Sequence, residues 1–430
     1  MDDRGVTSGG PDSREPGDAA PDLGAGGEGI PAAFGPIAGL RVLDLGTMIA
    51  GPITAAFLGD FGAEVVKVEH PELGDDLRNW PPMKAGRSLW WKVTARNKKL
   101  ITLNLSTDRG RDLLRRLVPR FDVLIENFRP GTMERWGLAY DELAQTNPRL
   151  IMVRVSGYGQ TGPYARRPGY ATVAEAMSGV PSFTGFPDKP PTFSAFPMGD
   201  ALTGLFAAYA TMLAVYERDV RGSGRGQVVD ASLYESFFRI VEAQVIGFDQ
   251  LGIVKQRRGN RMDEDSPRNA YRTADGEHVA ISVGSQRIFG RLARALGRPE
   301  LAEDPRFGSL SRRVENGDLL DAMLAEWFQG LTLDEAMRRL EEADVVAGPV
   351  NDIRRIFADP HYAAREDIVE VPDPDFGSVR MQGVVPKLSR TPGRVRHAGL
   401  ARGAHNEEIY RGVLGLGADE LEELRRQRVI

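Results

Sequence analysis

Cysteine is absent from all 430 residues. That removes disulfides, thiol nucleophiles and thiolate-held metals together, and it fits a cytoplasmic protein. Histidine is scarce: the five are His70, His278, His361, His397 and His405. Only the last two fall near each other, flanking Gly-rich sequence, so no histidine-based metal site is expected. No run approaches the roughly 18 apolar residues of a membrane span. The N-terminus, MDDRGVTSGG, lacks the apolar segment of a signal peptide. No strongly basic stretch combines with aromatics, and the net charge is -5, so nucleic acid is not an expected partner. The first candidate strand-to-helix turn is GTMIAGP, which lacks the G-x-G-x-x-G fingerprint of nicotinamide binding. P-loop, G-x-S-x-G and H-E-x-x-H motifs are missing too.

What is present is the composition of a soluble globular chain, 41% hydrophobic and 27% charged, long enough for two domains. Residues 1–33, rich in Gly, Pro, Asp and Ala, cannot bury enough surface to offset chain entropy, and a disordered tail is expected there. From Gly35 the pattern is α/β. RVLDLG (41–46), AEVVKVEHP (63–71), KLITLNLS (99–106), DVLIENF (122–128), RLIMVRVSGYG (149–159) and QVVDASL (227–233) read as strands. AGPITAAFLGDFG (50–62), DRGRDLLRRLVPRF (108–121) and the apolar stretch 202–216 read as helices. The alternation predicts a parallel sheet wrapped by helices. After 230 the texture changes: helix over 234–252, a polar loop over 255–269, a hairpin turning at Asp275-Gly276, then helices near 286–297 and 317–342. The expected division is a large domain over 34–229, a small α+β domain over 230–345 and a segment over 346–430, which ends in a helix at 418–427.

Three stretches carry candidate chemistry. In FPMGD (196–200), Asp200 stands at the head of an apolar helix. It reads either as an N-cap, whose oxygen accepts from a first-turn N–H, or as a nucleophile. In ENFRPGTMERWGL (126–138), Asn127, Phe128, Arg129 and Arg135 fall at a strand's C-terminal edge, where open α/β sheets bind ligands. Arginines and a ring there can hold a phosphorylated, base-containing molecule, or simply form a solvated turn. SGYGQTGPYARRPGYATVAEAMSGV (156–180) combines glycines and tyrosines, as a binding loop or a plain connection would.

These blocks, together with GLRVLDLGTMIAGP, GAEVVKVEHPELGDDLR, ARNKKLITLNL, GSGRGQVVDASLYES, ADVVAGPVNDIRRIFADPH and AHNEEIYRGVLGL, resemble the class III CoA-transferase family in order from about residue 36 onward. Formyl-CoA transferase, carnitine CoA-transferase and α-methylacyl-CoA racemase are members. The resemblance implies a Rossmann-like large domain, a smaller α+β domain, a chain that returns to the large domain, and an interlocked ring homodimer. It implies transfer of CoA from an acyl-CoA donor to a carboxylate acceptor, with coenzyme A as substrate, no tightly bound cofactor and no metal. Asp200 falls on the family's nucleophile, where a helix N-terminus would keep it ionised. The CoA-binding pattern falls on Ala50, Leu103, Asn127, Phe128, Arg135 and Tyr170, and Ile49, directly before Ala50, is taken with them as CoA-binding. Arg129 and Lys98 are added from charge and place.

Two positions depart from the family pattern. Ile49 stands where formyl-CoA transferase has a glutamine, which points to a larger or more apolar acyl chain than formyl. Ala171 stands where members commonly carry an acid. No histidine lies between His70 and His278, so the His/acid pair that moves a proton in the racemase is missing. A racemase-like member and a catalytically silent CoA-binding paralogue are the alternatives.

Overall fold

The computed structural model describes residues 34–430. The tail expected over 1–33 lies outside the described residues.

Six short, apolar, β-branched runs form one parallel sheet: β1 (Arg41–Asp44), β2 (Glu64–Glu69), β3 (Lys98–Thr102), β4 (Val123–Glu126), β5 (Ile151–Ser156) and β6 (Val228–Ser232). Their order is β3-β2-β1-β4-β5-β6. Val42 of β1 aligns with Val65 of β2 on one side and Val123 of β4 on the other. The continuous burial of β1, β2, β4 and β5 is what two covered faces require. The chain builds outward from β1 to β3, then returns to β4 on the opposite side. Loops leaving β1 and β4 therefore diverge, and a crevice opens between their C-terminal ends.

The helices that matter to the crevice are α1 (Ala50–Asp60), α2 (Ala171–Met177), α3 (Met198–Val215), α4 (Leu233–Ile240) and α5 (Ala243–Leu251). α1 and α3 lie in contact because Gly204 has no side chain. A Cβ there would stand 2.2 Å from Ile53 Cγ2. With its continuation to Val220, α3 is also long and apolar enough by composition to cross a membrane. Asp, Thr and Gly interrupt its apolar residues, so no unbroken apolar run marks it in the sequence. One face of α3 (Thr203, Gly204, Ala207, Ala208, Thr211, Ala214) is buried against the sheet layer.

A second body lies beyond α5. An antiparallel sheet of β7 (Arg268–Arg272), β8 (His278–Ser282) and β9 (Ala347–Pro349) packs with helices around Tyr271, Phe289, Phe328 and Leu340. Gly276 turns the β7–β8 hairpin at φ +87°. The helix expected over 317–342 is two, Gly317–Gln329 and Leu333–Glu342; Thr332 restarts the second by accepting from the Glu335 N–H. A further hairpin, β10 (Ile368–Asp373) and β11 (Gly377–Gln382), was not foreseen.

The chain then returns to β3. Ile409, Tyr410, Leu421 and Leu424 share one core with Leu43, Val66 and Ile101. The Leu100 N–H donates to His405 Nδ1 at 3.0 Å, and Tyr410 Oη donates to the Thr102 carbonyl at 2.7 Å.

Candidate active site

A cavity of about 240 Å³ occupies the crevice. Its walls come from the β1–α1 turn, the β4 end, the loop after β5 and the head of α3.

The β1–α1 turn is held from three sides. Asp44 Oδ1 accepts from the Gly46 N–H at 3.0 Å, and Asp75 Oδ1 accepts from Met48 at the same distance. The Asn127 amide brackets Thr47, accepting from its N–H and donating to its carbonyl, each at 2.8 Å. Met48 is thereby kept at φ +64°, a conformation a side chain rarely adopts. Gly51 lets the turn reach Asn127, since a Cβ there would lie 3.4 Å from Asn127 Cγ and 3.1 Å from Gly46 Cα. Beneath the turn, Lys67 pairs with Asp75 at 3.1 Å and Lys98 with Asp44 at 2.9 Å, all four side chains buried. At the β4 end, Glu126 accepts from the Phe128 N–H at 2.7 Å and pairs with Arg154.

Of the residues singled out in the sequence, Ile49, Ala50, Asn127, Phe128, Arg129, Tyr170 and Asp200 line this one cavity. Three placements differ from expectation. Leu103 is buried in the core, leaving its side chain no ligand face. Lys98 is fully buried and committed to Asp44 and the Pro52 carbonyl, so it cannot reach a phosphate. Arg135 is exposed outside the cavity and donates to Thr132 Oγ1. Asn127 lines the cavity, but its amide is spent on Thr47. Arg167 also lines it and was not singled out; the signal available was a second cation in a Gly-Tyr loop.

Asp200 does not cap its helix. Pro197 is the N-cap residue and Asp200 is third in α3. Its carboxylate has no hydrogen-bond or ion-pair partner among the described residues. Burial pushes it up to about 6, so desolvation outweighs the helix N-terminus expected to hold it down. Ala171, first residue of α2, packs on the residue before it: a Cβ on Gly199 would meet Ala171 Cβ at 3.2 Å. With alanine at 171, Asp76 is the other acid that lines the cavity with Asp200.

The class of the chain follows from comparison. Residues 37–406 match the profile of CoA-transferase family III. The chain belongs to this family and is a CoA-transferase. Succinyl-CoA--D-citramalate CoA-transferase of Chloroflexus aurantiacus is 46% identical over 92% of this chain and 98% of its own length. The beta subunit of succinyl-CoA--L-malate CoA-transferase from the same organism is 42% identical over the same shares. Among solved structures, a CAIB/BAIF family protein from Brucella suis superposes with a TM-score of 0.78 at 34% identity, covering 87% of this chain and 98% of that one.

Proposed function

We propose that Asp200 is the covalent nucleophile of the transfer, and that the donor is succinyl-CoA with a hydroxy-dicarboxylate such as citramalate or malate as acceptor. The observation that carries the mechanism is a partnerless, desolvated carboxylate at the cavity wall. A carboxylate stripped of hydrogen bonds keeps its lone pairs free for attack. The substrates are supported by the identity to the two Chloroflexus enzymes.

Asp200 attacks the thioester carbonyl. The C–S bond breaks, leaving a mixed anhydride and CoA thiolate. Thiolate attacks the aspartyl carbonyl and expels the donor acid, giving an aspartyl-CoA thioester. The acceptor carboxylate attacks that thioester, thiolate leaves again, and thiolate then attacks the acceptor's carbonyl. Asp200 is restored, with no net proton change. The Asn127 clamp and the charge pairs under the β1–α1 turn would fix the wall along which the thioester lies. CoA would run past Phe128, Arg129 and Tyr170 toward Arg135. Hydroxylamine quenching during turnover with succinyl-CoA, followed by peptide mass spectrometry, is expected to yield a hydroxamate on the Asp200 peptide. Its absence with every acyl-CoA tested, despite CoA binding, overturns the covalent reading.

A nucleophile titrating near 6 sets the pH profile. kcat/KM should be flat above about pH 7 and fall roughly tenfold per unit once the pH is well below 6. A profile still flat at about pH 5 refutes the raised pKa of the attacking carboxylate and leaves its identity to the hydroxamate test.

We infer a homodimer, with 34–229 and 346–430 forming the large domain and 230–345 the small one. Leu205, Tyr209, Leu213 and Tyr216 recur along one exposed stripe of α3 and its continuation. α5 buries no residue and exposes Val245, Ile246, Phe248 and Leu251. Apolar surface of this extent calls for a partner. Sedimentation at micromolar concentration should give twice the chain mass; a monomer that transfers CoA refutes the dimer.

A further inference from the structure

We propose that Arg167 selects dicarboxylic acyl groups by pairing with the carboxylate at the end remote from the thioester. The inference rests on the reading of Asp200 as the acyl-bearing carboxylate and deepens it by naming the residue that sets substrate class.

The cavity holds two cationic side chains, Arg129 and Arg167. They come from different segments of its wall. Arg129 continues the β4 edge beside Asn127 and Phe128, where CoA is placed above. Arg167 lies on the loop after β5. Four residues later that loop reaches Ala171, which packs on Gly199 next to Asp200. Arg167 and Asp200 line the same cavity, and the loop that carries Arg167 runs on through Tyr170 to Ala171 against Gly199.

The loop is built to hold it. Gly157 and Gly169 touch across the loop's neck: a Cβ on Gly169 would stand 3.0 Å from Gly157 Cα, and one on Gly157 2.9 Å from Gly169 Cα. Inside that neck the Arg167 N–H donates to the Tyr164 carbonyl at 2.8 Å. The guanidinium lies 3.7 Å over the Tyr164 ring, and that ring meets Tyr158 edge-on at 6.0 Å between centroids. An aromatic shelf leaves the guanidinium's in-plane N–H groups free, and these form a two-pronged fit to a carboxylate. Among the described residues no acid or carbonyl accepts from them. Asp200 cannot serve as the lasting counter-charge, because its own charge vanishes when it is acylated. A distal carboxylate supplies a partner that persists through every covalent step, for donor and acceptor alike.

The test compares succinyl-CoA with butyryl-CoA, which has a methyl group where the distal carboxylate stands. Binding is measured in an Asp200→Asn background, where no turnover intervenes, and kcat/KM is measured with Asp200 intact. The unmodified loop should favour succinyl-CoA. Arg167→Gln should lower the succinyl preference by about 10- to 100-fold in both readouts, the range of a charge-assisted bidentate contact, while butyryl-CoA changes by less than about threefold. Arg167→Lys should restore part of the preference. Equal loss for both thioesters would mark Arg167 as a CoA or structural contact, and no loss would remove it from the site. Either result overturns the proposal. The binding arm does not depend on Asp200 being a nucleophile. Absence of a trapped adduct alongside an intact succinyl preference would therefore sink the covalent reading and leave Arg167 as the selector.

Discussion

Asp200→Asn should abolish CoA transfer while making the protein more stable at neutral pH. The first expectation follows from covalent catalysis: an amide cannot form the anhydride, and removing a nucleophile costs at least about four orders of magnitude in kcat. CoA affinity should change little, because no proposed CoA contact is altered. The second follows from desolvation. In the fold Asp200 titrates near 6, against 3.8 when unperturbed. A carboxyl group whose pKa is raised on folding gives stability that is complete below the unfolded value and is lost as the pH rises through the folded one. The ionised carboxylate therefore works against the fold at pH 7, and asparagine relieves it. The stability difference between variant and wild type should open between about pH 4 and pH 6 and stay level above. A carboxylate acting as a helix cap gives the opposite pattern: asparagine is then neutral and alanine destabilises. Urea midpoints across that range, measured beside activity, separate the two. A variant that is both active and less stable returns Asp200 to a structural role.

Lys98→Met should be among the most damaging single changes outside the cavity wall. Lys98 and Asp44 are both fully buried and 2.9 Å apart. Removing the cation takes away the direct ion-pair partner of Asp44, leaving it the more distant charge of Lys67, and also frees the Pro52 carbonyl, to which Lys98 donates at 2.6 Å. Breaking a buried pair on one side costs about 3–5 kcal/mol. The neighbouring Lys99 is the control. Its partners Glu64 and Glu408 keep contact with water, so Lys99→Met should cost about 1 kcal/mol or less. Combining Lys98→Met with Asp44→Asn should recover part of the loss, since the carboxylate's charge goes too. The cycle of single and double variants gives the coupling directly. Asp44 also carries the Gly46 N–H of the β1–α1 turn, so KM for acyl-CoA should rise in the single variant at temperatures where it remains folded. Equal cost for Lys98→Met and Lys99→Met would show that the buried pair is not what holds this turn.

These two residues mark where the sequence could and could not be read. Each strand of the parallel sheet was visible as a short apolar run, because burial on both faces leaves little room for anything else. Asp200 could be picked from its place between Pro-Met-Gly and an apolar helix. Its rank in the helix could not, because Pro197 rather than the acid takes the cap. Its raised pKa depends on what packs around it from distant segments, α2 among them, and no local pattern carries that. Lys98 looked like a ligand contact because it begins a strand beside a candidate site. Strand pairing places it instead under the β1–α1 turn, opposite an acid 54 positions earlier in the chain. Leu103 is a related case: its side chain joins a core that includes Tyr410 and Leu424 from the far end of the chain, which no local pattern shows. Arg167 was legible as a cation and invisible as a site residue: it remains exposed, and only the fold brings its loop to the wall of the cavity that Asp200 lines.

The return of the chain to β3 has a consequence in time. Leu100 and Thr102 find partners in His405 and Asn406, 305 and 304 residues later. A ribosome adding roughly 5–20 residues per second makes β3 wait on the order of 15–60 s for them. During that interval the sheet's outer strand is an open apolar edge, and the segment that forms the smaller body emerges and can fold before the larger core is closed. The residues that close this edge are thus among the last to be made. The interval before residue 405 is made is the stage at which a chaperone that shields sheet edges would matter most.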